Sequence, residues 1–147
     1  MSVEFLSALG TAVRALRSRL DRELQVHGLH VGQHQILRVL WKAEGLTPGE
    51  IADRVGVEMP TVTRTVQRLE RAGFIRRAAH PADARSVRIY LTDRGRDIRG
   101  PVSALLECEA RRALRGIAPE QRDALTDALN RVASNLLDDD GEGDRSL

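Results

Sequence analysis

Apolar residues return with a helical period at both ends of the chain. Over residues 3–27 they recur every three or four positions, which predicts one long amphipathic helix. The members of this stripe are Leu6, Leu9, Val13, Leu16, Leu20 and Leu24. A second stripe follows Pro119 and predicts a last helix over residues 119–137. Its members are Leu125, Leu129, Val132, Leu136 and Leu137.

Two further helices are predicted between these ends. One covers about residues 31–43, and its apolar side carries Ile36, Leu37, Leu40 and Trp41. The other covers residues 92–115 and begins at Thr92, whose hydroxyl can cap the first turn. Pro101 lies inside that helix, and we expect a kink there because proline removes a backbone bond and clashes with the preceding turn.

The densest local signals lie between Thr47 and Gly56 and predict a short capped helix. Thr47 can accept a bond from the first helical turn, and Pro48 occupies a position where no backbone donor is needed. Glu50, three residues after Thr47, completes the pattern of a capping box. Gly56 can adopt the left-handed conformation that ends a helix.

A second short helix is predicted from Pro60 to about Ala72, just before Gly73. One face of it is apolar and consists of Val62, Val66 and Leu69. The opposite face and its flanks carry Pro60, Thr61, Thr63, Arg64, Gln67, Arg68 and Arg71. Two short helices joined by a glycine turn are typical of a helix-turn-helix, which places its second helix in the DNA major groove. An ordinary solvated helix face is the alternative interpretation.

A β-hairpin is predicted after the second helix, with strands at residues 74–77 and 86–91 and a turn at residues 80–85. Alternate residues of the second strand face opposite sides. One set is Val87, Ile89 and Leu91, and the other is Ser86, Arg88 and Tyr90. An arginine near the tip, here Arg85, can enter a narrow minor groove. Asp83 can hold Arg85 by a charge-assisted bond, although an exposed ion pair of this kind contributes little energy.

The charge of the chain is unevenly distributed, although the formal net charge is only +2. Residues 54–99 contain eleven arginines and five acidic residues, a net charge of +6, which leaves −4 for the remainder. The positive region coincides with the predicted helix-turn-helix and hairpin, as binding to nucleic acid requires. The length of 147 residues and the apolar fraction of 41% suffice for one domain with its own core.

These segments together resemble the MarR family of bacterial transcription regulators, and within it the SlyA-like branch. The resemblance rests on EMPTVTRT at residues 58–65, LERAGFI at residues 69–75, DARS at residues 83–86 and LTDRG at residues 91–95. The order of elements matches over residues 3–137. The chain departs from the family pattern at residues 80–83, where His-Pro-Ala-Asp replaces a more acidic start of the turn. It departs again at Ala118, where a serine usually caps the last helix.

The resemblance implies a mainly α fold with a small β-hairpin wing (α+β), that is, a winged helix-turn-helix with N- and C-terminal dimerisation helices. Residues 1–137 would form a single domain, with the winged helix-turn-helix at residues 31–91. The dimerisation helices would be residues 3–27 and 119–137, with part of 92–115. We expect a homodimer because a symmetric pair is the commonest way to bury two apolar stripes. Packing of both stripes on their own domain is the alternative.

In function, the resemblance implies a regulator that binds a palindromic double-stranded DNA operator and is released by a small aromatic or phenolic ligand, most simply a repressor. Arg64 would read bases or contact the backbone from the recognition helix, and Arg85 would enter the minor groove. The predicted DNA contacts are Pro60, Thr61, Thr63, Arg64, Gln67, Arg68, Arg71, Asp83, Arg85 and Arg88. His34 and Trp41 are expected to line the ligand pocket. The alternative is a winged-helix protein–protein interaction module that uses the same helix against an acidic protein.

Two other candidate sites are weaker. His27, His30 and His34 lie near the junction of the first two helices, and the last two have the i, i+4 spacing of metal ligands. No cysteine or carboxylate completes a set nearby, so we expect a core or pocket histidine and no cofactor. Cys108 is the single cysteine, which excludes an internal disulfide. We expect it to be a small apolar filler rather than a redox sensor.

The remaining features set limits on the class of protein. The sequence contains no nucleophile–base pairing, no phosphate-cradling glycine loop and no paired-carboxylate motif, so we do not expect an enzyme. It also contains no membrane-spanning apolar run and no signal-peptide core, and we expect the protein in the cytoplasm. Residues 138–147 are acidic and poor in apolar residues, and we expect this tail to be disordered.

Overall fold

The computed structural model describes residues 2–138, which form seven helices and one two-stranded antiparallel sheet. In chain order the elements are α1 (Ser2–Gln25), α2 (Gln33–Lys42), α3 (Pro48–Val55), α4 (Met59–Arg71), β1 (Ile75–His80), β2 (Asp83–Leu91), α5 (Asp93–Asp97), α6 (Arg99–Ala113) and α7 (Pro119–Leu137). The predicted fold class, mainly helical with a β-hairpin wing, is confirmed. The acidic tail at residues 138–147 lies, apart from Asp138, outside the described residues.

The chain divides into two compact units, the first ending at Glu109 and the second starting at Ala110. The first unit has a continuous core, to which α2, α3, α4 and both strands contribute. Its most deeply buried side chains are Leu24, Leu29, Ile36, Leu37, Leu40, Ile51, Val62, Leu69, Phe74, Ile75, Ile89 and Val102. Each such side chain contributes about 1.5–3 kcal/mol when it leaves water. The core therefore fixes α4 and the hairpin relative to each other.

The two end helices leave most of their apolar stripes in solvent. α1 buries only Leu20 and Leu24, close to its C-terminal end. Its exposed large apolar residues are Val3, Phe5, Leu6, Val13 and Leu16. α7, taken by itself, contains no buried residue, and Leu125, Leu129, Leu136 and Leu137 are exposed along it. Exposed apolar residues that recur along one helix in this way are characteristic of interaction sites.

The predicted helix over residues 92–115 is interrupted at Ile98, which separates α5 from α6. Thr92 caps α5, as predicted, because its hydroxyl accepts the Gly95 N–H at 3.1 Å. Pro101 lies in the first turn of α6 and has no N–H to donate to Asp97, the last residue of α5. The missing backbone bond accounts for the break between the two helices.

The hairpin is longer and its turn tighter than the sequence predicts. The strands pair from Ile75 with Leu91 to His80 with Asp83, with an irregularity between Ala79 and His80. The predicted bounds of the turn, residues 80–85, are therefore wrong at both ends. Backbone pairing continues to His80 and Asp83, and the tip consists of two residues. Val87 is 45% exposed although it lies in phase with two buried residues. The reason is that the outer half of the hairpin extends beyond the core.

One pairing was not predicted from the sequence. Leu46 forms an isolated bridge with Ile89, whose N–H donates to the Leu46 carbonyl at 2.8 Å. The Gly45 N–H in turn donates to the Ile89 carbonyl at 2.9 Å. Two residues are too short a run to give a strand signal, yet this bridge joins the hairpin to the segment immediately before α3.

Candidate nucleic-acid interface

The first helix of the helix-turn-helix, α3, is capped at both ends. The Thr47 hydroxyl accepts the Glu50 N–H at 3.1 Å, as predicted. At the other end Gly56 has φ of 77°, and its N–H donates to the Ala52 carbonyl. The reciprocal half of the expected capping box is replaced, because the Glu50 carboxylate lies 3.6 Å from the Arg88 guanidinium of the wing. The cap thus also helps to connect α3 to β2.

The second helix, α4, presents two chemically different faces. Val62, Val66 and Leu69 are buried beneath it, as the helical spacing predicts. The predicted DNA contacts on α4 are all exposed: Pro60, Thr61, Thr63, Arg64, Gln67, Arg68 and Arg71. Within residues 2–138 the guanidinium groups of these three arginines have no hydrogen-bond or ion-pair partner. Their charges remain available to an external ligand.

An ion pair fixes the end of α4 relative to the wing. Arg77 of β1 donates to both carboxylate oxygens of Glu70, at 3.1 and 3.0 Å. This contact lowers the pKa of Glu70 and raises that of Arg77. Both side chains are substantially exposed, so the pair contributes little to stability. Its two-pronged geometry, however, defines the angle between helix and strand and neutralises an acidic residue of α4.

Near the wing tip lie Arg85, which the sequence assigned to the minor groove, and Asp83, which was predicted to hold Arg85 in place. The Asp83 carboxylate accepts the backbone N–H of Arg85 at 3.0 Å. The expected bond to the Arg85 guanidinium is therefore replaced by one to its backbone, because a short acidic side chain reaches the N–H two residues on more easily. The Arg85 side chain is exposed and, in the described part of the chain, has no partner of its own.

Arg88 differs from the other predicted DNA contacts, because its guanidinium group binds residues of the protein itself. Its Nη1 donates to the Gly45 carbonyl at 3.1 Å and lies 3.6 Å from Glu50. Its Nε is buried and has no hydrogen-bond partner among residues 2–138. Strand alternation placed Arg88 on the polar face correctly, but it could not indicate that the segment before α3 returns to cover that face.

The base of the wing is fixed by contacts that the sequence analysis missed. The Trp41 indole donates to the Gly95 carbonyl at 2.8 Å, and the Thr92 N–H donates to the Phe74 carbonyl at 3.0 Å. A Cβ on Gly95 would lie 2.1 Å from the Phe74 carbonyl oxygen. The Arg94 guanidinium stacks over the Phe74 ring, 4.3 Å from its centroid. The LTDRG motif was the only sequence signal of this joint, and its glycine is required by close packing.

A cavity of about 370 Å³ lies beside Trp41 in the first unit. It is lined by Leu40, Trp41, Lys42, Ala43, Glu44, Leu91, Arg96 and Arg99. Glu44 pairs with Arg96 at 3.1 Å, whereas Lys42 and Arg99 have no partner within residues 2–138. The cavity combines an aromatic wall with two available positive charges. The structure places Trp41 in this cavity, but His34 is not among the residues that line it.

His34 is a core histidine. Its side chain is 5% exposed, and its Nδ1 accepts the Gly32 N–H at 3.3 Å. Burial lowers the pKa of His34, and the positive charge of Arg38 lowers it further. The His30 Nδ1 atom lies 3.3 Å from the Asp21 carboxylate, so this ring contacts an acidic side chain of α1. In residues 2–138 no group of three or more histidine, cysteine or acidic side chains is arranged to hold a metal ion.

The expectation that Cys108 fills an apolar space is wrong, because its side chain is exposed. The neighbouring Glu109 occupies the buried position, and both of its carboxylate oxygens accept bonds from Arg19, at 2.6 and 2.8 Å. This contact joins α1 to α6 within the first unit.

Among residues 2–138 none of the helices is both long and apolar enough to cross a membrane.

Comparison with known proteins finds a family whose model matches part of this chain. The model of the MarR family matches residues 29–87, which include α2, α3, α4, β1 and part of β2. The HTH-type transcriptional regulator TtmR of Methylorubrum extorquens is 36% identical over 129 residues, which are 88% of this chain and 62% of TtmR. The chain therefore spans less than two thirds of the length of that relative.

Solved structures share the fold over nearly the whole chain. The crystal structure of the transcriptional regulator SlyA has a TM-score of 0.84 at 28% identity and covers 92% of this chain and 95% of its own. A protein from Listeria monocytogenes, assigned to the MarR family and complexed with 26mer DNA, has a TM-score of 0.80 at 25% identity, covering 91% and 89%. These relatives are named as transcriptional regulators, in agreement with the prediction that the chain is not an enzyme. Residues 29–87 thus match the MarR family, and the chain shares its fold with SlyA and the Listeria monocytogenes protein.

Proposed function

We propose that the protein is a sequence-specific double-stranded DNA-binding transcription regulator that acts as a homodimer on a palindromic operator, most simply as a repressor. The observation that carries this proposal is the exposed face of α4. Three arginines without a partner among residues 2–138 lie there, on a helix whose other face is anchored in the core. The names of the relatives, and the 26mer DNA bound to the Listeria monocytogenes protein, support it.

In this proposal α4 enters the major groove and the wing contacts the flanking minor groove. Arg64 reads a base, and its neighbours on the same face contact phosphates or thymine methyl groups. Arg85 enters the minor groove, and Asp83 shapes the turn that presents it. Arg88 has a different part from the other predicted contacts, because it holds the wing against Gly45 and Glu50. We assign it a positioning role.

The exposed apolar residues of the end helices support the homodimer. Val3 and Leu6 of α1 are 70% and 61% exposed, and Leu136 of α7 is 74% exposed. A monomer would leave each of these stripes in water at a cost of about 25 cal/mol per Å² of apolar surface. A twofold pair would bury them and would also set two α4 helices roughly 34–36 Å apart, the spacing of inverted half-sites.

We place the effector in the cavity beside Trp41. Its size lies within the range of ligand pockets, roughly 300–1,000 Å³. The indole offers an aromatic surface, and Lys42 and Arg99 offer positive charge, so the cavity suits a small aromatic anion. Trp41 also donates to Gly95, which packs against the Phe74 carbonyl at the base of the wing. A ligand that moves the indole would therefore disturb the base of the wing. The displaced wing would bind DNA more weakly.

The DNA proposal is tested by capturing genomic fragments on the purified protein, sequencing them, and titrating the enriched site in gel shifts. Arg64→Ala is expected to abolish specific binding, because each of two half-sites loses a contact worth about 1–3 kcal/mol. Arg85→Ala is expected to weaken binding severely. Arg22→Ala is the matched control, since Arg22 is exposed on α1 and carries the same charge. Affinity should fall steeply with added salt.

Three outcomes would contradict this proposal: no enriched sequence, equal losses for Arg64→Ala and Arg22→Ala, or an affinity that does not respond to salt. Retention of an acidic protein partner in place of DNA would favour the alternative, a protein–protein interaction module.

The homodimer is tested by light scattering on Leu6→Glu, with Val26→Glu as the control. Both residues are exposed and apolar, but Val26 follows the last residue of α1 and is not part of its stripe. Leu6→Glu is expected to yield monomers that bind the full palindrome weakly, whereas Val26→Glu should remain dimeric. Monomeric wild-type protein, or dimers of both variants, would count against the stripe as the interface.

The effector site is tested through the fluorescence of Trp41, the single tryptophan of the chain. Benzoate and phenol provide a charged and a neutral aromatic probe of similar size. Benzoate is expected to quench the emission saturably and to lose affinity in Arg99→Gln, while phenol binds more weakly. Equal affinity for the two probes, or no effect of Arg99→Gln, would refute the charged character of the site.

A further inference from the structure

A second concavity of about 260 Å³ lies between α2 and α3, apart from the exposed face of α4. It is lined by Gln35, Arg38, Val39, Lys42, Arg54 and Val55. We call it the α2–α3 groove. The four residues from α2 have the i, i+3, i+4, i+7 spacing that aligns side chains on one helix face. The other two lie in the last turn of α3, so one wall comes from each helix.

The α2–α3 groove is positively charged and uncompensated. Arg38, Lys42 and Arg54 are exposed, and within residues 2–138 none of them has an ion-pair or hydrogen-bond partner. No acidic side chain lines the groove; Asp53, next to Arg54 in the sequence, is not part of its wall. Arg38 and Lys42 are spaced i, i+4, at which like charges destabilise a helix by about 0.2–0.5 kcal/mol. Folding alone gains nothing from placing these charges together.

We propose that the α2–α3 groove is a phosphate-binding site. Each guanidinium can donate two parallel hydrogen bonds to one phosphate group, and the Lys42 ammonium adds a point charge. The Gln35 amide adds a neutral donor to the lining, and Val39 and Val55 add apolar surface. The phosphate can come from a small phosphorylated molecule or from a phosphodiester of DNA. Both sources present the same group to the groove.

The buried ring of His34 supplies an internal reporter of this site. His34 lies one helical turn before Arg38, and the charge of Arg38 contributes to lowering its pKa. A bound phosphate would neutralise Arg38 and so raise the pKa of His34. Non-specific screening by salt would weaken the charges of all exposed arginines alike. Phosphate bound in the groove would instead act on Arg38 and so change the pKa of His34 selectively.

The first experiment titrates the full chain with inorganic phosphate at constant ionic strength, using chloride as the balancing anion, and follows amide and histidine signals by NMR. Saturable shifts are expected for residues 35–42 and 54–56, together with a rise in the pKa of His34. Arg38→Gln and Arg54→Gln are each expected to weaken binding about tenfold, the value of one charge-assisted contact. The matched control is Arg22→Gln, which removes the same charge from α1 and should bind phosphate like the wild type.

The second experiment separates the two sources of phosphate by measuring the salt dependence of DNA affinity for the same variants. If the groove takes a DNA phosphodiester, each groove substitution should reduce the slope of log affinity against log salt concentration by about one contact. If it takes a free phosphorylated molecule, the slope should match that of Arg22→Gln while the phosphate titration remains impaired.

The proposal is overturned if phosphate shifts do not saturate, if they spread equally over α4 and the wing, or if Arg38→Gln and Arg22→Gln behave alike in both experiments. This failure is distinct from a failure of DNA recognition. The phosphate titration needs no DNA, and loss of operator binding in Arg64→Ala tests α4 without altering the groove.

Discussion

Gly95 is expected to be the glycine least tolerant of a methyl group in the described chain. It lies in α5 and its carbonyl accepts the Trp41 indole N–H, so the position joins α2 to the base of the wing. A Cβ built there would lie 2.1 Å from the Phe74 carbonyl oxygen and 3.1 Å from a methyl carbon of Leu91. Gly95→Ala therefore forces either the backbone at Phe74 or α5 itself to move.

The cost follows from the contacts that such a movement disturbs. Real Cβ atoms essentially never approach within 3.0 Å, so a separation of 2.1 Å must open by about 0.9 Å. Overpacking of this kind costs about 1–3 kcal/mol. The Thr92–Phe74 and Trp41–Gly95 hydrogen bonds are each worth about 0.5–1.5 kcal/mol. Alanine recovers about 1 kcal/mol of helix propensity. The expected loss is about 3 kcal/mol of unfolding free energy.

The loss is measured by urea denaturation of Gly95→Ala beside Gly49→Ala. Gly49 is also helical, but the nearest atom to its Cβ would be the Thr47 hydroxyl at 3.9 Å. Gly49→Ala should be neutral or stabilising by up to about 1 kcal/mol. Equal midpoints for the two variants, with unchanged denaturant slopes, would refute the argument that close packing requires a glycine at position 95.

Two further predictions concern stability. Thr47→Ala removes the cap of α3 and should cost about 1 kcal/mol in urea unfolding, whereas Thr63→Ala, which removes an exposed hydroxyl from α4, should change little; equal effects would refute the cap. Since the pKa of His34 is lowered below 6.5, the unfolded chain binds the proton more readily. The contribution of His34 to the free energy of unfolding should be complete above about pH 6.5 and decline as the pH falls below that value. Unfolding at pH 7.5 and 5.5 should therefore show a smaller pH dependence for His34→Gln than for the wild type, and an unchanged dependence would contradict this explanation.

The sequence by itself determined the local elements, because their signals are short-range. Thr47 and Gly56 delimit α3 through one side-chain bond and one left-handed residue. The spacing of Val62, Val66 and Leu69 defined the buried face of α4 and, by exclusion, its exposed arginines. Such signals depend on neighbours within about one helical turn, so they can be interpreted without knowing what the chain packs against.

Only the tertiary structure decided which polar residues are available to a partner. Arg85 and Arg88 are three residues apart in one strand, yet the first is exposed and the second is bound to Gly45, 43 residues earlier. His34 and Trp41 both belong to α2, but burial made the first a core residue while the second lines a cavity. Burial and partner choice depend on segments distant in sequence, and no local pattern contains that information.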